Sequence, residues 1–263
     1  MRATATHSTG SRGVFKNPAL TQKAFDSQIA RAGSTGEKDM TSTGTYLKTG
    51  LLLLLFIVSG AFGWTLIKEV DGQVVDVNLI WIISGFVMTI GLAIAARFAG
   101  KWIWLVAIGY ALAQGIMVGT MAHILEVQYP GIALRAVLIT LALYVSAWLL
   151  YTTGVIKVTP GYRTAVMIGT LGVAVFFGVN FLLSLFGVNL SILNEPSWLS
   201  ILIAVGILLL GVLNLPMDFD FIRTVSAAGA PKFMEWQGAF GLIVTIVWIY
   251  VSVLRLLSLT RSR

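Results

Sequence analysis

Cysteine is missing altogether from this chain. Its absence excludes disulfides, thiol nucleophiles and zinc sites built on sulfur. Charge is nearly as scarce. Asp, Glu, Lys and Arg make up 11% of the 263 residues, against about 25% in a typical soluble domain. There are two histidines, and His7 lies in a polar N-terminal stretch while His123 lies in an apolar run. No phosphate-binding glycine loop is present, and no Ser–His pair accompanies a Gly-x-Ser-x-Gly turn. A retinal-type protein needs a lysine in its last helix, and residues 233–257 contain none. No nucleophile and base come together, so no enzymatic activity is expected. A cleavable leader is not expected either, because residues 1–46 lack an apolar core segment.

What is present is apolar sequence in long blocks. Hydrophobic residues form 57% of the chain and the mean hydropathy is +0.88. The blocks are continuous over roughly 20 residues, the length that crosses a bilayer as a helix. They do not alternate as strands of a membrane barrel would. The fold class is therefore all-α, a polytopic seven-transmembrane-helix bundle in a lipid bilayer. The spans are read at 47–67, 78–96, 102–125, 132–151, 162–186, 198–222 and 233–257. Short connections predict antiparallel neighbours, and Asp71-Gly72 predicts a tight turn between the first two spans.

Residues 1–46 form a separate unit, rich in Ser, Thr and Gly. Seven basic and three acidic residues occur up to Lys48. Such a segment cannot bury enough apolar surface to fold alone, which predicts a disordered polar tail ahead of a membrane domain over 47–263. The net charge of +7 does not point to nucleic acid, because the basic residues sit in the tail and in alternate loops. Arg97, Lys101, Lys157, Arg163, Arg223 and Lys232 share the tail's side. Lys68, Arg135, Arg255, Arg261 and Arg263 fall on the other. The positive-inside rule then places the N-terminus in the cytoplasm. The basic C-terminal end runs mildly against that rule.

Small residues mark helix contacts. Gly115 and Gly119 in the third span share a face and permit close approach of a neighbour. The fifth span carries Gly169, Gly172 and Gly178. Trp102, Trp104, Trp198 and Trp236 lie near span ends, as interfacial anchors do. His123 and Glu126 share a helical face, yet two donors fall short of the three or more that zinc requires. They read as an interfacial pair.

Chemistry concentrates in the sixth span and in the connection that leads out of it. An aspartate at the centre of a membrane helix costs roughly 2.5–3.5 kcal/mol on insertion scales, and this stretch carries both Asp218 and Asp220. Pro216 lacks an N–H and should free the carbonyl of Val212, kinking the helix. A freed carbonyl beside carboxylates suits a hard cation such as Ca²⁺. Asn214 and Asp218, four apart, share a face. Asp218 and Asp220 lie about 200° apart on a regular helix and cannot both face one interior. The plain alternative has Asp220 pairing with Arg223 three residues on. Glu235, three residues after Lys232, reads likewise as a solvated pair at the start of the seventh span. Arg97 ends the second span on the same side. Arg97 and Glu235 are the candidate gating partners.

Asp218-Phe-Asp-Phe-Ile222, Gly229-Ala-Pro231, Met234-Glu-Trp236 and Leu254-Arg-Leu-Leu-Ser258 resemble the Bax inhibitor-1/YccA (TMBIM) superfamily. Asn17-Pro-Ala19 is similar to the opening motif of its bacterial branch. The resemblance implies a bundle with a central seventh helix, in a bacterial plasma membrane, acting as a pH-sensitive calcium leak channel. It implies two buried acids, on helices six and seven, that share a proton, and an arginine on helix two that competes for them. Phe219-Asp220 matches the helix-six pair, so Asp220 is the expected ion gate or calcium site. The helix-seven acid is expected two residues after Tyr250, where this chain has Ser252. A serine holds no negative charge at neutral pH, so half of the proton-sharing pair is gone.

Two readings result. One is a cation leak, for Ca²⁺ or H⁺, gated on helix six at Asp220, Asp218, Asn214 and Ser252, without any cofactor beyond the transported ion. The other is a non-conducting membrane stress-response or interaction protein working through its tail and partners.

Overall fold

The computed structural model describes residues 39–70, 73–77, 79–187 and 197–262. The expectations for residues 1–38, including the motif at 17–19 and His7, and for the turn at 71–72 lie outside that range. The described chain folds into α1 (Ser42–Thr65), β1 (Ile67–Val70), β2 (Gln73–Val77), α2 (Leu79–Ala95), a single 3₁₀ turn (Gly100–Trp102), α3 (Ile103–Gln128), α4 (Ile132–Thr152), α5 (Pro160–Leu185), α6 (Trp198–Ala227) and α7 (Met234–Arg261). It is an all-α membrane protein with one small antiparallel hairpin. Its basic end gathers the start of α1 and the α2–α3, α4–α5 and α6–α7 connections. Its hairpin end holds β1 and β2.

Six of the seven helices among the described residues are long and apolar enough to cross a membrane. The exception is α2. Its 17 residues extend about 25 Å, short of the roughly 30 Å hydrocarbon core. The residues before it form β2, which pairs with β1 through a register shift at Lys68/Glu69.

Local chemistry sets the helix starts. Thr41, Thr159 and Ser197 each accept a backbone N–H with their side-chain oxygens, at α1, α5 and α6. Each satisfies a donor that the first turn would leave orphaned. Pro160 occupies the first turn of α5, where its missing N–H costs nothing. The αL glycine Gly131 precedes α4. There the Glu126 carboxylate accepts from the N–H groups of Gly131 (2.5 Å) and Ala133 (2.9 Å). The Thr41 cap also moves the start of the first helix from the expected 47 back to Ser42.

Within a bilayer the helices gain little from leaving lipid for one another, so close packing decides their arrangement. Contact is most extensive between α1 and α3. A Cβ on Gly115 would overlap Ser59 and the carbonyl of Phe56, and one on Gly119 would overlap the carbonyl of Gly60. The two backbones therefore touch, as the glycine spacing of α3 predicts. α7 is central, packing on α1, α3, α4 and α6. In its most apolar window 56% of residues are buried, against 6% for α5. At the periphery α5 packs on α6, and α2 packs on α3. Of the four glycines in α5, Gly169 meets Leu210 while Gly161, Gly172 and Gly178 face open space.

α6 runs through Pro216 as one 30-residue helix. Its register against α7 is antiparallel. Ile222 lies beside Gly238, Asp218 beside Gly241 and Gly211 beside Ile249. This register determines which polar groups can meet.

Candidate functional site

Phe219 organises the basic end. It is fully buried, with Tyr144 and Tyr151 of α4 against its ring at centroid distances of 5.7 and 5.8 Å. Its two aspartate neighbours consequently leave the helix in different directions, as the 200° argument requires. Asp218 faces α7, where the Thr245 hydroxyl donates to its Oδ2 at 2.6 Å. Asp220 faces α4 and α5. Its Oδ2 pairs with the Arg163 guanidinium of α5, and the Tyr151 hydroxyl donates to its Oδ1 at 3.3 Å.

These contacts revise the expected partnerships. Asp220 pairs with Arg163, and neither with Arg223 on its own helix nor with Arg97. Arg97 is exposed at the end of α2, a helix with no backbone contact to α6. It therefore sits off the site. A carboxylate already held by a guanidinium has less capacity left for a hard cation. Among the described residues Asp218 has no Lys or Arg in ion-pair reach, and its hydrogen-bond donor is a neutral hydroxyl.

Asn214 does not join Asp218. Its amide donates to Thr170 Oγ1 of α5 (3.0 Å) and to the Leu210 carbonyl (2.8 Å). The two residues are four apart on one helix, yet the Asn214 amide turns toward Thr170 of α5 while the Asp218 carboxylate turns toward Thr245 of α7. Ser252 is distant as well. It is eleven residues beyond Gly241, about 16 Å along α7, and shares a crevice with Ala204 and Ile207. Asp220 lies at the other end of the α6–α7 contact. The two cannot form a proton-sharing pair.

Glu235 forms a second polar knot, in which the expected pair with Lys232 is present but the carboxylate is not solvated. The residue is 1% exposed. Its Oε2 pairs with Lys48 of α1, while its Oε1 accepts from the Thr41 N–H and hydroxyl, both at 2.9 Å. Lys232 lies 3.4 Å from Oε1 and is the more exposed cation. The Lys48 ammonium also sits 5.3 Å above the Trp236 ring. Gly44 leaves the space that the carboxylate fills. The chain leading into α1 is tied down beside it. Asp39 bridges Pro231, the Met40 N–H donates to the Ala230 carbonyl at 2.7 Å, and the Ser226 hydroxyl donates to the Met40 carbonyl at 3.1 Å. Nothing in the spacing of Glu235 and Lys232 announced this. The only sequence signal was Lys48 itself, a cation at the start of an apolar run.

At the hairpin end, His123 stacks on Trp64 with centroids 4.6 Å apart, and its Nδ1 lies 2.8 Å from the Trp64 carbonyl. Glu126 caps α4. They act separately. Among the described residues no three His, Cys, Asp or Glu side chains come together.

The site is thus a basic-end cluster in which α6 presents one ion-paired and one cation-free aspartate, beside a buried Glu235–Lys48 pair that joins α1 to α7. A comparison with curated proteins and one with solved structures returned no match. A family model described as Bax inhibitor 1 like matches residues 17–262. That span covers the tail motif, all seven helices and both acidic knots, and the chain belongs to the Bax inhibitor 1 like family.

Proposed function

We propose that the protein is a cation leak pathway whose cation-binding group is Asp218 and whose latch is the Asp220–Arg163 pair. The observation that carries this reading is the contrast between two carboxylates two residues apart. One is neutralised by a guanidinium and the other is held by a hydroxyl alone. A carboxylate kept inside a span without a cation is costly unless a mobile cation or proton completes it. The Asp220–Arg163 pair ties α6 to the peripheral helix α5 and closes the basic end. The pathway is non-enzymatic, carries Ca²⁺ or H⁺, and has its basic end toward the cytoplasm of a bacterial cell. Its pH response belongs to Asp218, since Ser252 supplies no second acid.

Calcium flux into proteoliposomes tests the reading. Wild-type protein should raise flux above protein-free vesicles, with a dependence on pH between about 6 and 8 that Asp218→Asn abolishes. Flux equal to that of empty vesicles across this range would remove the reading.

The N-terminal strap supports the second reading, a membrane interaction protein acting through its tail. The segment leaving residue 39 is bonded to the α6–α7 connection, so a partner that pulls on the tail acts directly on Glu235. Under this reading deletion of residues 1–38 abolishes partner capture and leaves folding intact.

A further inference from the structure

The structure assigns a lipid site to the crevice between α3, α5 and α7. We propose that it takes one acyl chain of an anionic phospholipid from the hairpin-end leaflet, with the headgroup on Arg255. The crevice encloses about 860 Å³, within the roughly 300–1,000 Å³ typical of ligand sites. Its walls are mainly apolar, with Gln114, Thr170, Asn180, Ser252 and Arg255 among the polar exceptions. It lies away from Asp218 and Asp220, neither of which lines it.

Three observations choose the occupant. First, one wall is α5, in whose most apolar window only 6% of residues are buried. Since α5 and α7 both have the length and composition of spans, the bilayer abuts the opening. Second, Arg255 lies 21 residues into α7, about 31 Å from its start. That is headgroup depth at the hairpin end, where Arg261 also reaches the Pro130 carbonyl at 3.1 Å. Third, Arg255 is half-buried over the face of Phe177, 5.9 Å from the centroid, and both residues line the crevice. A guanidinium held in that position matches a phosphate oxygen geometrically and in charge. The apolar depth beneath it matches a chain. A zwitterionic lipid meets the same apolar walls but gains less from Arg255.

Native mass spectrometry of the full chain in nonionic detergent tests this, with dioleoyl phosphatidylglycerol and dioleoyl phosphatidylcholine added at equal concentration. The first bound lipid should favour phosphatidylglycerol by about fivefold, the factor expected for one basic residue at a membrane surface. Arg255→Gln should bring that ratio near one, Arg255→Lys should retain most of it, and Arg97→Gln at the basic end should leave it unchanged. Ala174→Phe, which fills the crevice from α5, should lower occupancy by both lipids. Equal binding of the two lipids to wild type, or a preference that survives Arg255→Gln, would overturn the headgroup assignment. Occupancy unaffected by Ala174→Phe would overturn the location. Dimer peaks without bound lipid would make a second copy the occupant and also overturn it.

Discussion

Asp218 and Asp220 are separated by one buried phenylalanine, and that residue decides what each acid can do. With Phe219 packed on Tyr144 and Tyr151, Asp220 is turned to Arg163 and Asp218 to Thr245. The Arg163 and Asp220 side chains are 30% and 21% exposed, and a pair so open to solvent is worth about 1 kcal/mol. It suits a latch that opens, not a permanent strut. The Glu235–Lys48 pair differs in kind, because its carboxylate has almost no contact with solvent. Removing one partner of a buried ion pair costs about 3 kcal/mol or more. Lys48→Met should therefore lower the thermal midpoint of the purified protein by several degrees, whereas Lys232→Met should change it little. Equal shifts in the two variants would mean that Lys48 is not the main counterion.

At the scale of the helix, the α1–α3 contact should be the least tolerant of added atoms. Gly119→Leu places a side chain into the backbone of Gly60, and overpacking of this kind costs typically 1–3 kcal/mol or more. Loss of monodisperse protein on gel filtration is the expected outcome. Gly172→Ala, facing open space on α5, should be neutral or stabilising by up to about 1 kcal/mol. A destabilised Gly172→Ala would mean that α5 packs more tightly than its exposed surface indicates. The same contrast explains what the glycine pattern could and could not announce. Spacing of three to four residues marked α3 as a contact helix, but in α5 it did not separate Gly169, which meets Leu210, from glycines that meet nothing. The β1–β2 hairpin was legible too. Asp71-Gly72, with Val70 before it and Val74-Val75 shortly after, is a strong hairpin signal, and reading it only as a turn leaves both strands unassigned.

At the scale of the molecule, the seven apolar runs and their antiparallel order came from hydropathy and short connections alone. The central place of α7 rested on the family resemblance and is borne by its contacts with α1, α3, α4 and α6. The candidate acids were also legible, because a carboxylate in an apolar run stands out whatever the fold. Their partners were not. Arg163, Thr245 and Lys48 lie 57, 27 and 187 residues from the acids they meet, and no local spacing encodes such distances. The chain's lack of cysteine makes its sidedness directly measurable. In oriented vesicles, Phe98→Cys at the basic end and Lys68→Cys at the hairpin end should be labelled by an impermeant maleimide from opposite faces, Phe98→Cys from the cytoplasmic one. Labelling of both from one face would mean that α2 does not cross the bilayer.

The two aspartates of α6 are assigned different roles, and one comparison addresses that difference directly. Initial calcium flux into proteoliposomes should be measured for Asp218→Asn and Asp220→Asn against wild type at equal protein density. Loss of the cation-binding carboxylate should reduce flux about tenfold or more in Asp218→Asn. Release of the latch should raise it about fivefold in Asp220→Asn, the factor that ~1 kcal/mol provides. An equal fall in both variants, or flux unchanged in both, would contradict this division of roles.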